Sequence, residues 1–144
     1  MGMIYVGNKK ETKRMARASA FIKLKKEILE KIKRNKMPKG NVLETARIAG
    51  ITGAKKTSDL IPLCHNIEID YVGVGFSFKK DGIFIESIVH STSKTGVEME
   101  ALVSSVISAL TIYDMCKMFD KSIEITKIEL LEKRGGKSGV YKKY

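Results

Sequence analysis

The pattern of apolar and polar positions divides the chain into a short series of elements. Across residues 16–24, Ala16, Ala18, Ala20, Ile22 and Leu24 alternate with Arg17, Ser19, Phe21 and Lys23. That period of two predicts a strand with one buried face. Ile28, Leu29 and Ile32 then recur at helical spacing among Lys and Glu, and Met37-Pro38-Lys39-Gly40 closes this short amphipathic helix with a loop. Asn41 stands three residues before Glu44, an approximate capping box, and predicts a second helix over residues 42–56. Gly50 and Gly53 either weaken that helix or let another backbone pack close to it.

Further on, Ile67, Ile69 and Tyr71 share one phase, and Val72, Val74, Phe76 and Phe78 share the opposite one. The switch predicts a strand over 67–78 with a bulge near 71–73. Lys79-Lys80-Asp81-Gly82 is a hairpin turn, followed by a strand over 83–91. Residues 96–119 carry the longest helical pattern, with Val97, Ala101, Val106, Leu110 and Cys116 near one broad apolar stripe, and 123–131 form a last strand. The order β-α-β-β-α-β predicts an α+β, ferredoxin-like sandwich: one antiparallel sheet with helices on one face. That architecture serves many chemistries and names none.

The chain of 144 residues suits one domain over 1–144, with 1–12 as an N-terminal arm and 133–144 as a flexible, basic, glycine-rich tail. No apolar run approaches a membrane span, and MGMIYVGNKKE lacks the apolar core of a secretion signal. Two cysteines make no disulfide framework, so a cytoplasmic protein is expected. The net charge of +11 is uneven: residues 1–40 hold 13 Lys/Arg against 3 Asp/Glu, a balance of +10. A solvated lysine face, a phosphate-rich small ligand and a nucleic acid each account for such an excess. Absence of Trp, of helix-turn-helix or zinc-finger spacing and of an RNA-recognition strand disfavours nucleic acid.

The chemistry-bearing residues are few. Gly136-Lys137-Ser138 looks like the end of a phosphate loop, but Leu131 occupies the place of its first glycine and no helix can follow. Cys64, His65, His90 and Cys116 do not have zinc-site spacing, so no metal is expected. His65 follows Asp59-Leu60-Ile61-Pro62-Leu63 at the end of an element, where sites are often built. Asp114 and Lys117 are three residues apart on the long helix, among Ile112, Tyr113, Met115, Cys116 and Met118. An exposed ion pair explains them, and so does a partly buried pair suited to proton transfer. Glu98 and Glu100 fall in the first turn of that helix, where carboxylates favour the dipole. Glu100 and Asp114 lie fourteen residues apart, about 21 Å along a straight helix, so one compact pocket cannot use both from a single chain.

Four strings, TSDLIPLCHN (57–66), KTGVEMEAL (94–102), LTIYDMCK (110–117) and GGKSG (135–139), together with KGNVLETARIAGI (39–51), closely resemble the cyclic pyranopterin monophosphate synthases, the C proteins of molybdenum cofactor biosynthesis. The likeness runs in order from about Ala16 to Gly139. It implies a lyase that converts 3′,8-cyclo-7,8-dihydroguanosine 5′-triphosphate into cyclic pyranopterin monophosphate and pyrophosphate, with no cofactor. It also implies a ferredoxin-like fold and a homohexamer built as a trimer of dimers, with pockets at subunit interfaces. Carried over by matching strings, Asp114, Lys117 and Lys39 are the catalytic residues. Leu63, Cys64, His65, Met99, Glu100 and Lys133 bind substrate, with Arg17 a further contact for the triphosphate. The chain departs from the family pattern at Tyr5, where an Asp is expected.

Overall fold

A computed structural model describes residues 1–144. The chain forms β1 (Thr12–Lys23), α1 (Lys26–Lys33), α2 (Val42–Lys55), α3 (Thr57–Leu60), β2 (Tyr71–Lys79), β3 (Gly82–Ser93), α4 (Glu98–Cys116), β4 (Glu124–Arg134) and β5 (Tyr141–Lys142). The sheet order is β2-β3-β1-β4-β5 with every pairing antiparallel. The helices lie on one face, the ferredoxin-like α+β sandwich that the element order predicts.

The alternation along β1 decides which face is covered. Ala16, Ala18, Ala20 and Ile22 are fully buried under the helices, opposite Val89, Ile85 and Ile83 of β3. Small side chains at 16 and 18 let the N-terminal half of α4 lie close, so Ser87 Oγ reaches both Ala101 O (2.6 Å) and Ser105 Oγ (2.8 Å). The larger Ile22, Ile83, Ile85 and Ile112 build the main core around the other half of α4. α4 is long and apolar enough to cross a membrane, but much of it is buried within this sandwich, as a core helix is.

Glycine sets the contact between α2 and α4. A Cβ on Gly50 would collide with Ser108 Oγ and lie 3.0 Å from Ser104 O, while Ser108 Oγ donates to Ala46 O at 2.9 Å. Gly50→Ala is therefore expected to overpack this contact and cost about 1–3 kcal/mol, read as a lowered urea midpoint. Half of the expected capping box forms: Asn41 Oδ1 accepts from the Glu44 amide at 3.1 Å, while the Glu44 carboxylate pairs with Arg47 instead of turning back to Asn41.

The expected bulge at 71–73 is not there. β2 begins at Tyr71 and pairs with β3 without a register shift as far as Lys79. Ile67 and Ile69 sit in the incoming segment, packed on the small cluster of Ala16, Ala18, Val89, Val97 and Ala101. This segment touches β3 through Asp70 N to His90 O (2.8 Å) and Ser91 Oγ to Glu68 O (2.6 Å), but does not continue the ladder. The phase switch thus marks where the strand starts. The irregularities fall instead between β1 and β4, with shifts at Arg17/Ala18 and Ser19/Phe21, and Lys127 takes up a left-handed φ of 50°. Past β4 the chain turns at Gly135 and Gly136 and returns as β5, where Lys142 pairs with Glu132.

Candidate active site

The family-like residues gather at the two ends of α4. At its C-terminal end, Lys39 reaches in from the loop before α2. Met37 is buried as an anchor, Gly40 N donates to Met37 O at 3.0 Å, and Gly40 takes φ 103°, so the loop turns sharply and presents Lys39 to α4. Lys39 Nζ donates to Asp114 Oδ2 (2.9 Å) and to Asp114 O (3.2 Å). Lys117 Nζ stands 3.1 Å from Asp114 Oδ1, so each carboxylate oxygen faces its own ammonium group. Hydrogen bonds from Lys39 and then Lys117 hold the Asp114 carboxyl below its usual range. It is an ionised base at neutral pH, with two proton donors attached.

Of the two settings, the structure shows the exposed one: the three side chains keep about half of their surface in the single chain. The apolar neighbours in sequence are not neighbours in space, because Ile112, Met115 and Cys116 turn into the core while Asp114 and Lys117 occupy the outer face.

Near the other end of α4, Leu63, Cys64 and His65 in the loop after α3 meet Met99 and Glu100 of the first helical turn around a cavity of about 260 Å³. Glu100 is only 4% exposed. Burial, with the charge of Glu98 added, pushes its carboxyl up to about 7, although its own backbone amide at the open helix end pulls the other way. Burial, then the charge of Glu100, raises the Cys64 thiol, which therefore stays a neutral lining group. Lys133, near the end of β4, pairs with Glu98 at 3.4 Å and so flanks this cavity.

The raised Glu100 value has a measurable consequence. Its carboxyl titrates at about 7 when folded and at 4.5 when free, so the native state holds the proton more tightly. Stability from this group is whole below pH 4.5 and falls as pH rises to about 7. Glu100→Gln, which cannot ionise, is expected to gain up to about 3 kcal/mol on wild type at pH 8 and nothing at pH 4. Urea unfolding of both proteins at the two pH values and one protein concentration measures it; an equal difference at both would refute the burial argument.

Arg17 belongs to neither group. It lies on the sheet face away from the helices, where it pairs with Glu86 and donates to Glu132 Oε1 at 3.1 Å. Its charge is already met by two carboxylates. The same open face carries a larger groove of about 760 Å³ lined in part by Phe21, Phe84 and Leu131, with none of the family-like residues in it.

The sequence reading missed the N-terminal arm. Ile4, Val6 and Lys9 line the mouth of the His65–Glu100 cavity, with Ile4 and Tyr5 both largely exposed. Nothing local in this stretch says what it packs against. Thr95 and Gly96, inside the KTG string, also line the cavity.

Among known proteins, the cyclic pyranopterin monophosphate synthase of Novosphingobium aromaticivorans is 51% identical over 140 residues, covering 97% of this chain and 89% of that protein. The synthase of Listeria monocytogenes is 52% identical over 143 residues, with 97% and 88% covered. That of Peptoclostridium acidaminophilum is 48% identical over 141 residues, with 98% and 90% covered. The model of the MoaC family matches residues 3–136, a span that takes in both ends of α4 and every residue placed above, and the chain belongs to the MoaC family.

Proposed function

We propose that this chain catalyses the reaction for which its relatives are named, forming cyclic pyranopterin monophosphate and pyrophosphate from 3′,8-cyclo-7,8-dihydroguanosine 5′-triphosphate. The observation that carries the reading is the Lys39–Asp114–Lys117 trio: an ionised carboxylate with an ammonium on each oxygen. Ring opening and reclosure need protons taken from and returned to nitrogen and oxygen atoms. Asp114 takes them, and Lys39 and Lys117 return them from fixed positions. The same ammonium groups offset the charge of the triphosphate and of the pyrophosphate as it leaves. Substrate, product and pyrophosphate balance without an oxidant or a reductant, so the reaction asks for no redox cofactor.

His65, Cys64, Leu63, Met99 and Glu100 form the binding half. Glu100, titrating near neutrality, both accepts from and donates to the polar edge of the guanine-derived ring. Lys133 supplies a cation beside it.

The two halves lie far apart along α4, so one pocket uses the trio of one subunit and the His65–Glu100 cavity of another. A trimer of dimers supplies that arrangement, and the groove with Phe21 and Phe84 on the open sheet face is the kind of surface that association covers. The protein then works in the cytoplasm as a homohexamer.

The test is turnover of the cyclic dihydroguanosine triphosphate by the purified protein, followed as pyrophosphate release and as pterin fluorescence after oxidation. Product in both assays is expected. A folded, oligomeric and inert protein would overturn the reading.

A further inference from the structure

Arg14 on β1 is a buried cation, 8% exposed, and makes no ion pair with any carboxylate of the chain. Its Nε donates to Ser93 O (3.4 Å) and its Nη2 to Lys94 O (3.2 Å), the two residues that lead from β3 into the KTG string. Its Nη1 lies against the turn after β4, where a Cβ on Gly136 would collide with it. Gly135 is packed as tightly on the Lys13 backbone, and both glycines hold left-handed φ values of 99° and 77°. The guanidinium therefore sits as a plate between two segments distant in sequence. One carries Thr95 and Gly96 of the His65–Glu100 cavity, and the other joins Lys133 to the Gly-Lys-Ser turn.

A buried guanidinium without a counter-charge is costly unless its geometry is used. We propose that Arg14 is a positioning residue for the binding half of the pocket. It locks the Lys94–Gly96 loop to the Gly135–Gly136 turn, and so holds Lys133 and the glycine-rich turn where a phosphate group of the substrate is received. This rests on the function proposed above. Arg14 touches neither Asp114 nor Lys39, so it acts on binding and not on proton transfer. Its uncompensated charge also keeps this side of the pocket positive.

The experiment compares the full-length oligomer with Arg14→Met, which keeps much of the side-chain length without donors or charge, and with Arg14→Lys. Hydrogen exchange reads the lock without any reference to the reaction. In Arg14→Met, amides of residues 94–96 and 135–139 are expected to exchange about tenfold faster or more, while the buried part of α4 is unchanged. Steady-state kinetics is expected to show KM raised about tenfold with kcat within about threefold, and Arg14→Lys restoring part of both changes. Unchanged exchange at both segments would overturn the proposal, as would a collapse of kcat at constant KM. Should Arg14→Met fail to fold, Arg14→Lys carries the same test, because an ammonium cannot reproduce the two-carbonyl fork. A wild type that turns over no substrate, with the exchange change intact, would sink the proposed function and support the lock.

Discussion

Asp114→Ala is expected to lower turnover by about 10³-fold or more while the fold and the oligomer stay as they are. The reason is the separation of its two roles. As a structural group Asp114 is cheap to lose, because it is exposed at the end of α4 and its two ion pairs are with exposed lysines. As a proton acceptor it has no substitute, since no other carboxylate faces Lys39 and Lys117. Asp114→Asn sharpens the test: it keeps the shape and can still hydrogen-bond the lysines, yet cannot take a proton, and should be about as inactive as Ala. Pyrophosphate release and melting temperature, measured side by side, decide it. An Asn variant with near-normal turnover would reduce Asp114 to a holder of the two ammonium groups.

Restored activity in mixed oligomers is the second large effect expected. Asp114→Ala damages only the C-terminal end of α4, and His65→Ala damages only the cavity near its N-terminal end. Each variant alone should be nearly inert. Unfolded and reassembled together, they should regain about a quarter of wild-type activity, because random pairing of subunits across a two-fold interface leaves that share of pockets with both halves intact. Mixing without reassembly should regain nothing. Failure to recover, with mixed oligomers demonstrated by mass, would mean that both ends of α4 serve one chain's pocket through a rearrangement, or that two separate sites exist.

Lys9 and Tyr5 mark the limit of what local pattern says about this protein. The apolar alternation of β1 and the cap at Asn41 are properties of a few residues each, and they mark their elements. The expected stripe of α4 is not its buried face: Val97, Ala101 and Cys116 are buried, but Leu110 is 49% exposed and Val106 half-buried, while the small Ser104, Ser105, Ser108 and Ala109 face the core. The phase switch at Tyr71 was equally visible, but a bulge and a strand start leave the same trace in an apolar pattern. Only the ladder to β3 distinguishes them. The string leaves the setting of Asp114 open between an exposed and a partly buried pair for a related reason: sequence neighbours on a helix point in different directions, so apolar company in the string is not apolar company in space. The cavity-lining arm and the Arg14 lock were silent, since each depends on contacts tens of residues away.

The sequence by itself determined the α+β order of elements, the basic N-terminal third, the strings that place the chain in its family, and the spacing that keeps Glu100 from Asp114. Each of these is local or arithmetic. The tertiary structure alone decided that Lys39 meets Asp114 across a helix connection, that Lys133 joins Glu98 while Arg17 is neutralised on the opposite face, and that Glu100 is buried enough to titrate at about 7. Those outcomes depend on which distant segments the core brings together, and on how much water it leaves beside each charge.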